Sequence, residues 1–171
     1  MTRLGLFSLA GMVLAADQLT KHWVERVHWG WPTDGYDYSR EVIPGFFSLT
    51  YVQNRGGAFG IFHSTHSGTL SLALASIIAA AAIVAYTLRA RSPLPNLLAG
   101  ALGGALGGAL GNLIDRVRLG HVVDFLDLHV GVHQWPVFNV ADSAICVGVA
   151  LLALYYTRTP ARNPRGAPVQ K

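Results

Sequence analysis

Two aspartates open the question of chemistry: Asp124, in VVDFLDLH (122–129), and Asp142, in FNVADSAICVGVALL (138–152), where it heads a long apolar run. If the segment carrying Asp124 folds back on the start of that run, two carboxylates meet in a partly apolar setting. Like charges there cannot both ionise cheaply, so one proton is shared and an apparent pKa rises. One aspartate can then act as a base while its partner acts as an acid. Taken alone, Asp142 has a simpler reading, a carboxylate favoured in the first turn of a helix by capping and the helix dipole. That reading does not cover the set: Asn112, Asp115 and Arg116 fall at i, i+3 and i+4 on one helical face, Asn139 stands three residues before Asp142, and Asp17 interrupts another apolar segment.

Other chemistries find little support. The seven histidines are scattered, without the HExxH spacing of a zinc peptidase, and the single cysteine, Cys146, excludes an internal disulfide and a multi-cysteine metal site. No metal and no cofactor is expected, and Cys146 reads as an inert packing residue. Although the pI is near 9.6, no base-reading motif or basic patch with interleaved aromatics points to nucleic acid.

The elements that must carry these residues are set by hydropathy. Of 171 residues 51% are hydrophobic and only 13% charged, and mean hydropathy is +0.37, whereas a soluble domain has about a quarter of its residues charged. Uncharged runs predict membrane helices over about 69–88 and 95–114. Two more are expected over about 4–24 and 140–156, the first placing Asp17, Gln18 and Lys21 against other helices. A cleavable signal peptide over residues 1–16, with Arg3 as its basic end, is the alternative for the first. Arg3, Arg89, Arg91, Arg158, Arg162, Arg165 and Lys171 then fall on one side, which the positive-inside rule makes cytoplasmic together with both termini. The basic inner flanks suit contact with anionic lipid.

The fold class expected is an all-α polytopic membrane protein: four transmembrane helices, with a small β-containing outer element between the first two. That element lies in the outer segment 28–66, where FFSLTYVQN (46–54) between Pro44-Gly45 and Gly56-Gly57 reads as a strand. Residues 1–157 read as one membrane-embedded domain, and 158–171, basic and proline-rich, as a disordered tail. GALGGALGGALGN repeats glycine in two four-spaced rows, Gly100/Gly104/Gly108 and Gly103/Gly107/Gly111, which lets helix backbones approach closely. Phe59, Phe125 and Phe138 read as packing residues. A proton- or ion-coupled carrier would also use intramembrane carboxylates, but its site sits near the midplane between repeated halves. Here the carboxylates cluster towards the outer side and no repeated half is visible.

DQLTK (17–21), NRGGAFG (54–60), GNLIDR (111–116), VVDF (122–125) and FNVADS (138–143), in that order, resemble the five signature blocks of the lipoprotein signal peptidase (signal peptidase II) family, over roughly residues 4–156. The resemblance implies an aspartyl endopeptidase of the bacterial inner membrane. Such an enzyme removes the signal peptide from prolipoproteins just before a diacylglyceryl-modified cysteine, with its active site towards the periplasmic face. It implies that Asp124 and Asp142 are the catalytic dyad and that Asn54, Gly56, Asn112, Asp115, Arg116 and Asn139 bind substrate or support the site. Asp17 and Lys21 are implied as structural support. The partners implied are the lipid-modified precursor and membrane lipids, acting on a monomer. Gly57 stands where alanine is frequent in the family.

Overall fold

The computed structural model describes residues 1–32, 38–56 and 66–159. Gly57 and Phe59, and the expected tail from residue 160 on, lie outside them. Four long helices form the body: α1 (Arg3–Val27), α2 (His66–Arg89), α3 (Asn96–Leu119) and α4 (Val140–Arg158). Gly68–Arg89, Asn96–Leu119 and Val140–Arg158 are long and apolar enough to cross a membrane, judged by length and composition. The chain is therefore a helical, multi-pass membrane protein. α1 has the length, with 25 residues, but Asp17, Gln18, Lys21, Glu25 and Arg26 crowd its second half. Arg158, expected in the tail, is instead the last residue of α4.

α3 is the central helix, packed against α1, α2 and α4, and its glycines explain how three neighbours fit around it. A Cβ on Gly107 would lie 2.6 Å from the Ala10 carbonyl oxygen and 2.8 Å from Val13 Cβ, and one on Gly103 3.0 Å from the Leu6 carbonyl, so this row faces α1. The other row faces α4, where a Cβ on Gly108 would collide with the Ala141 carbonyl and one on Gly104 would sit 3.4 Å from that of Ala144. Gly148 of α4 reciprocates, 2.8 Å from the Ala101 carbonyl by the same measure. Only at Gly100 does a row meet open space. Cys146, expected inside the packing, is exposed on α4, because the face of that helix turned to α3 is occupied by Ala141 and Gly148.

Beyond the ends of α1 and α3 lies an antiparallel sheet, ordered β1 (Tyr38–Ile43), β2 (Phe47–Asn54), β3 (Val122–Val130) and β4 (His133–Gln134). The expected strand over 46–54 is β2. Half of the sheet, however, comes from the link between α3 and α4, where no strand was expected. Gly120, at φ +75°, closes α3 in the left-handed conformation that glycine adopts without strain, and the chain turns directly into β3. Val24, Trp31, Val123 and Phe125 form a buried cluster that fixes the sheet to α1. His28, in the single turn after α1, stacks on Tyr51 with ring centroids 3.9 Å apart.

Candidate active site

The polar site residues named from the sequence, Asp17, Lys21, Asn54, Asn112, Asp115, Arg116, Asp124, Asn139 and Asp142, with Gly56, meet in one cluster where α1, α3, β2, β3 and α4 converge. Register brings in the first pair. Val52 faces Asp124 and Asn54 faces Val122 across β2 and β3, so Asn54 and Asp124 are diagonal neighbours on the same face of the sheet. Asn54 Nδ2 donates to Asp124 Oδ2 at 2.8 Å, while Asn54 Oδ1 accepts the Gly56 amide at 3.0 Å. Gly56 thus holds the asparagine with its NH2 turned to the carboxylate.

The second arm is the start of α4. Asn139 caps the helix, its Oδ1 accepting the Asp142 amide at 2.8 Å. That orientation frees its Nδ2 to donate to Asp124 Oδ1 at 2.6 Å, with further contacts to Asn112 Oδ1 at 3.2 Å and the Val123 carbonyl at 3.3 Å. From α3, Asn112 Nδ2 donates to Asp142 Oδ1 at 2.7 Å. Asp124 and Asp142 are therefore joined by two asparagines that each give a hydrogen bond to a different carboxylate.

Asp124 is 1% exposed. Burial first, and the charge of Asp142 second, push its carboxyl from 3.8 up to about 7, against Asn54, Asn139 and the Lys21 charge, which favour the ionised form. Arg116, one turn after Asn112 on α3, donates from Nη1 to the Asn112 carbonyl at 3.2 Å, and its charge acts on Asp142, Asp124 and Asp115.

Beneath this pair lies a fully buried ionic cluster. Lys21 Nζ is 2.9 Å from Asp17 Oδ2, 2.9 Å from Asp115 Oδ2 and 2.9 Å from Asn112 Oδ1. Both carboxylates have further partners. Asp17 Oδ1 accepts the Ala141 amide at 2.9 Å, and Asp115 accepts the Val123 amide at 3.2 Å and Gln18 Nε2 at 3.0 Å. Asp17 and Asp115 so tie α1 and α3 to the starts of α4 and β3. Gly111 leaves room for the cluster, since a Cβ there would collide with Asp17.

Gln18 was seen in the sequence only as a polar residue to be kept from lipid, yet it bridges Asp17, Asp115 and the Gly111 carbonyl. Its position beside Asp17 was the available signal. Asp127, the other carboxylate of β3, points to the opposite face, where Thr50 Oγ1 donates to it at 2.8 Å, and stays outside the cluster. His121, between α3 and β3, is pushed below the usual imidazole value by burial and by the Arg55 charge. Its Nε2 has no hydrogen-bond partner among the described residues. Among those residues no three His, Cys, Asp or Glu side chains group as a metal-binding set.

Residues 9–158 match the family model described as signal peptidase (SPase) II. A lipoprotein signal peptidase of Geobacter metallireducens is 45% identical over 161 residues, covering 94% of this chain and 95% of that protein. Another, from Geobacter sulfurreducens, is 47% identical over 88% of this chain and 89% of its own. A bacterial membrane enzyme solved by the in meso method at 2.3 Å resolution superposes with a TM-score of 0.77 at 30% identity, covering 97% of this chain and 94% of that one. A second, solved by the same method at 1.9 Å, gives 0.74 at 31% identity.

Proposed function

This chain belongs to the signal peptidase II family and is a membrane peptidase, and on that premise we propose that Asp124 and Asp142 are the catalytic dyad with which it removes the signal peptide from prolipoproteins. The observation that carries the assignment is the bridge between them: Asn139 and Asn112 hold one oxygen of each carboxylate at the junction of sheet and helices. A water between the two gives its proton to one aspartate as its oxygen attacks the scissile carbonyl. The other aspartate protonates the carbonyl oxygen, and on collapse of the tetrahedral intermediate a proton passes to the leaving amine. A dyad that shares one proton supplies both functions.

The remaining residues take supporting parts. Arg116, with its charge directed at both aspartates, binds a substrate carbonyl or keeps the dyad oriented. Asn54, Gly56, Asn112, Asp115 and Asn139 hold the dyad, and Asp17 with Lys21 ties the helices beneath it. The scissile amide precedes a diacylglyceryl-modified cysteine, so the substrate presents it at the bilayer surface, where the sheet and the apolar helices meet.

Residues 1–157 act as one membrane-embedded domain in which α1 is the fourth span. Its polar groups support this reading, because Asp17, Gln18 and Lys21 are all partnered by α3 and α4 rather than turned to lipid. Both termini lie on the cytoplasmic side and the dyad on the periplasmic side of the inner membrane. The amino terminus bonds the Leu94 carbonyl and Asn96 Oδ1 at 2.7 Å each, which sets it beside the basic α2–α3 connection, at the opposite end from the sheet. One chain supplies both aspartates and their partners, consistent with a monomer.

The test is cleavage of a diacylglyceryl-modified precursor by the purified protein in proteoliposomes. Asp124→Asn and Asp142→Asn are each expected to lose turnover while still binding precursor, and the double variant to be little worse than either, since the two act as a unit. Substantial turnover by either single variant refutes the assignment.

A further inference from the structure

Lys21 lies outside the reaction as just described, yet it touches the residue that holds Asp142. Lysine has three donors and no acceptor. Nζ of Lys21 spends them on Asp17 Oδ2, Asp115 Oδ2 and Asn112 Oδ1, each at 2.9 Å, in a pocket where its side chain is 0% exposed. A donor facing Asn112 in this way admits only the oxygen of that amide, so the NH2 must point the other way, to Asp142 Oδ1 at 2.7 Å. Asn139 reinforces the choice, since its own NH2 also faces Asn112 Oδ1, at 3.2 Å. A reversed Asn112 would set its NH2 against both the ammonium and the Asn139 NH2, and offer an acceptor to a carboxylate.

We propose that Lys21 is a positioning residue for the reaction: through the Asn112 amide it dictates which atom Asp142 meets, and so which carboxylate oxygen is held and which is left to face the water. The inference rests on the dyad assignment above and extends the structural-support role given to Lys21 by the family resemblance. Tying helices together requires an ion pair with Asp17 and Asp115; orienting the dyad requires the third hydrogen bond, to Asn112. These two demands can be separated.

The separation uses two double variants, Asp17→Asn/Lys21→Gln and Asp17→Asn/Lys21→Met. Each removes one negative and one positive charge, so the cluster keeps its net charge, and Gln and Met have similar length. Gln can still donate one hydrogen bond to Asn112 Oδ1, whereas Met cannot. Both are to be purified, checked for a cooperative melt, and assayed for kcat and KM on the lipidated precursor. The Gln variant is expected to retain a kcat at least about tenfold above that of the Met variant, with KM alike in the two, because the lost contact acts on the reacting carboxylate and not on precursor binding. Equal kcat in two folded variants overturns the proposal. So does failure of both to fold, which would assign Lys21 to stability alone. Asp142→Asn in the unsubstituted background keeps the premise separate: the dyad stands if that variant is inactive, whatever the Gln and Met pair do.

Discussion

Replacing Asp124 by Asn should abolish turnover and yet make the protein more stable above neutral pH, by an amount the site geometry sets. Burial and the neighbouring Asp142 charge raise the Asp124 carboxyl from 3.8 to about 7 in the folded chain. The folded chain keeps a proton that the unfolded chain has already released, so stability is lost as pH rises from about 4 through about 7. At about 1.4 kcal/mol per pH unit of displacement, the deficit is about 4 kcal/mol near pH 8 and about 2 kcal/mol near pH 5. Asparagine removes the charge, but its NH2 meets one of the two amide donors, Asn54 or Asn139, at a cost of about 1–3 kcal/mol that does not vary with pH. The variant's advantage should therefore grow by about 2 kcal/mol between pH 5 and pH 8, which for a chain of this size is a widening of the Tm difference by roughly 4–8 °C. Paired thermal melts of parent and variant in one detergent across that range measure it. A Tm difference that stays flat with pH refutes the claim that Asp124 is held in a setting hostile to its charge.

Asn54→Ala removes a donor that favours ionised Asp124, so the alkaline limb of kcat/KM, where the shared proton is lost, should move up by about one pH unit; an unmoved limb in an active variant contradicts it. Gly107→Ala should lower stability by about 1–3 kcal/mol in a thermal melt, because its Cβ has only 2.6 Å to the Ala10 carbonyl. Gly100→Ala, which meets nothing within 4 Å, should be neutral or stabilising by up to about 1 kcal/mol. Equal effects at the two positions would contradict the backbone-to-backbone contact of α1 with α3.

The helices were legible because their signal is local. Apolar runs over 69–88, 95–114 and 140–156, the last interrupted by Asp142, correspond to α2, α3 and α4, each of which runs a few residues further. β3 was not legible as a strand. VVDFLDLHV has the β-branched and aromatic character of one, but its partner, β2, lies some 70 residues upstream, as the Asn54–Asp124 bond records, and local pattern holds no trace of that pairing. The ionisable residues could be picked out one by one as costly at membrane depth. Their grouping could not: that Lys21 sits between Asp17 and Asp115 depends on Gly111 having no side chain, and that Asn139 serves both aspartates depends on its being a helix cap. Cys146 shows the converse, an apolar residue in an apolar helix whose orientation hydropathy alone does not set.

The bond from Asp17 to the Ala141 amide joins positions 124 residues apart, and it has a meaning in time as well as space. The ribosome delivers α1 first and α4 last, and Asn139 and Asp142, which complete the polar cluster, arrive only with that final helix. Until then Asp124 lacks one of its two amide donors and has no second carboxylate beside it. Under the dyad assignment proposed above, the chain holds only one of its two catalytic carboxylates while it is being threaded into the membrane. On that assignment a chain cut short before α4 has no dyad, so the order of synthesis serves as a safety latch.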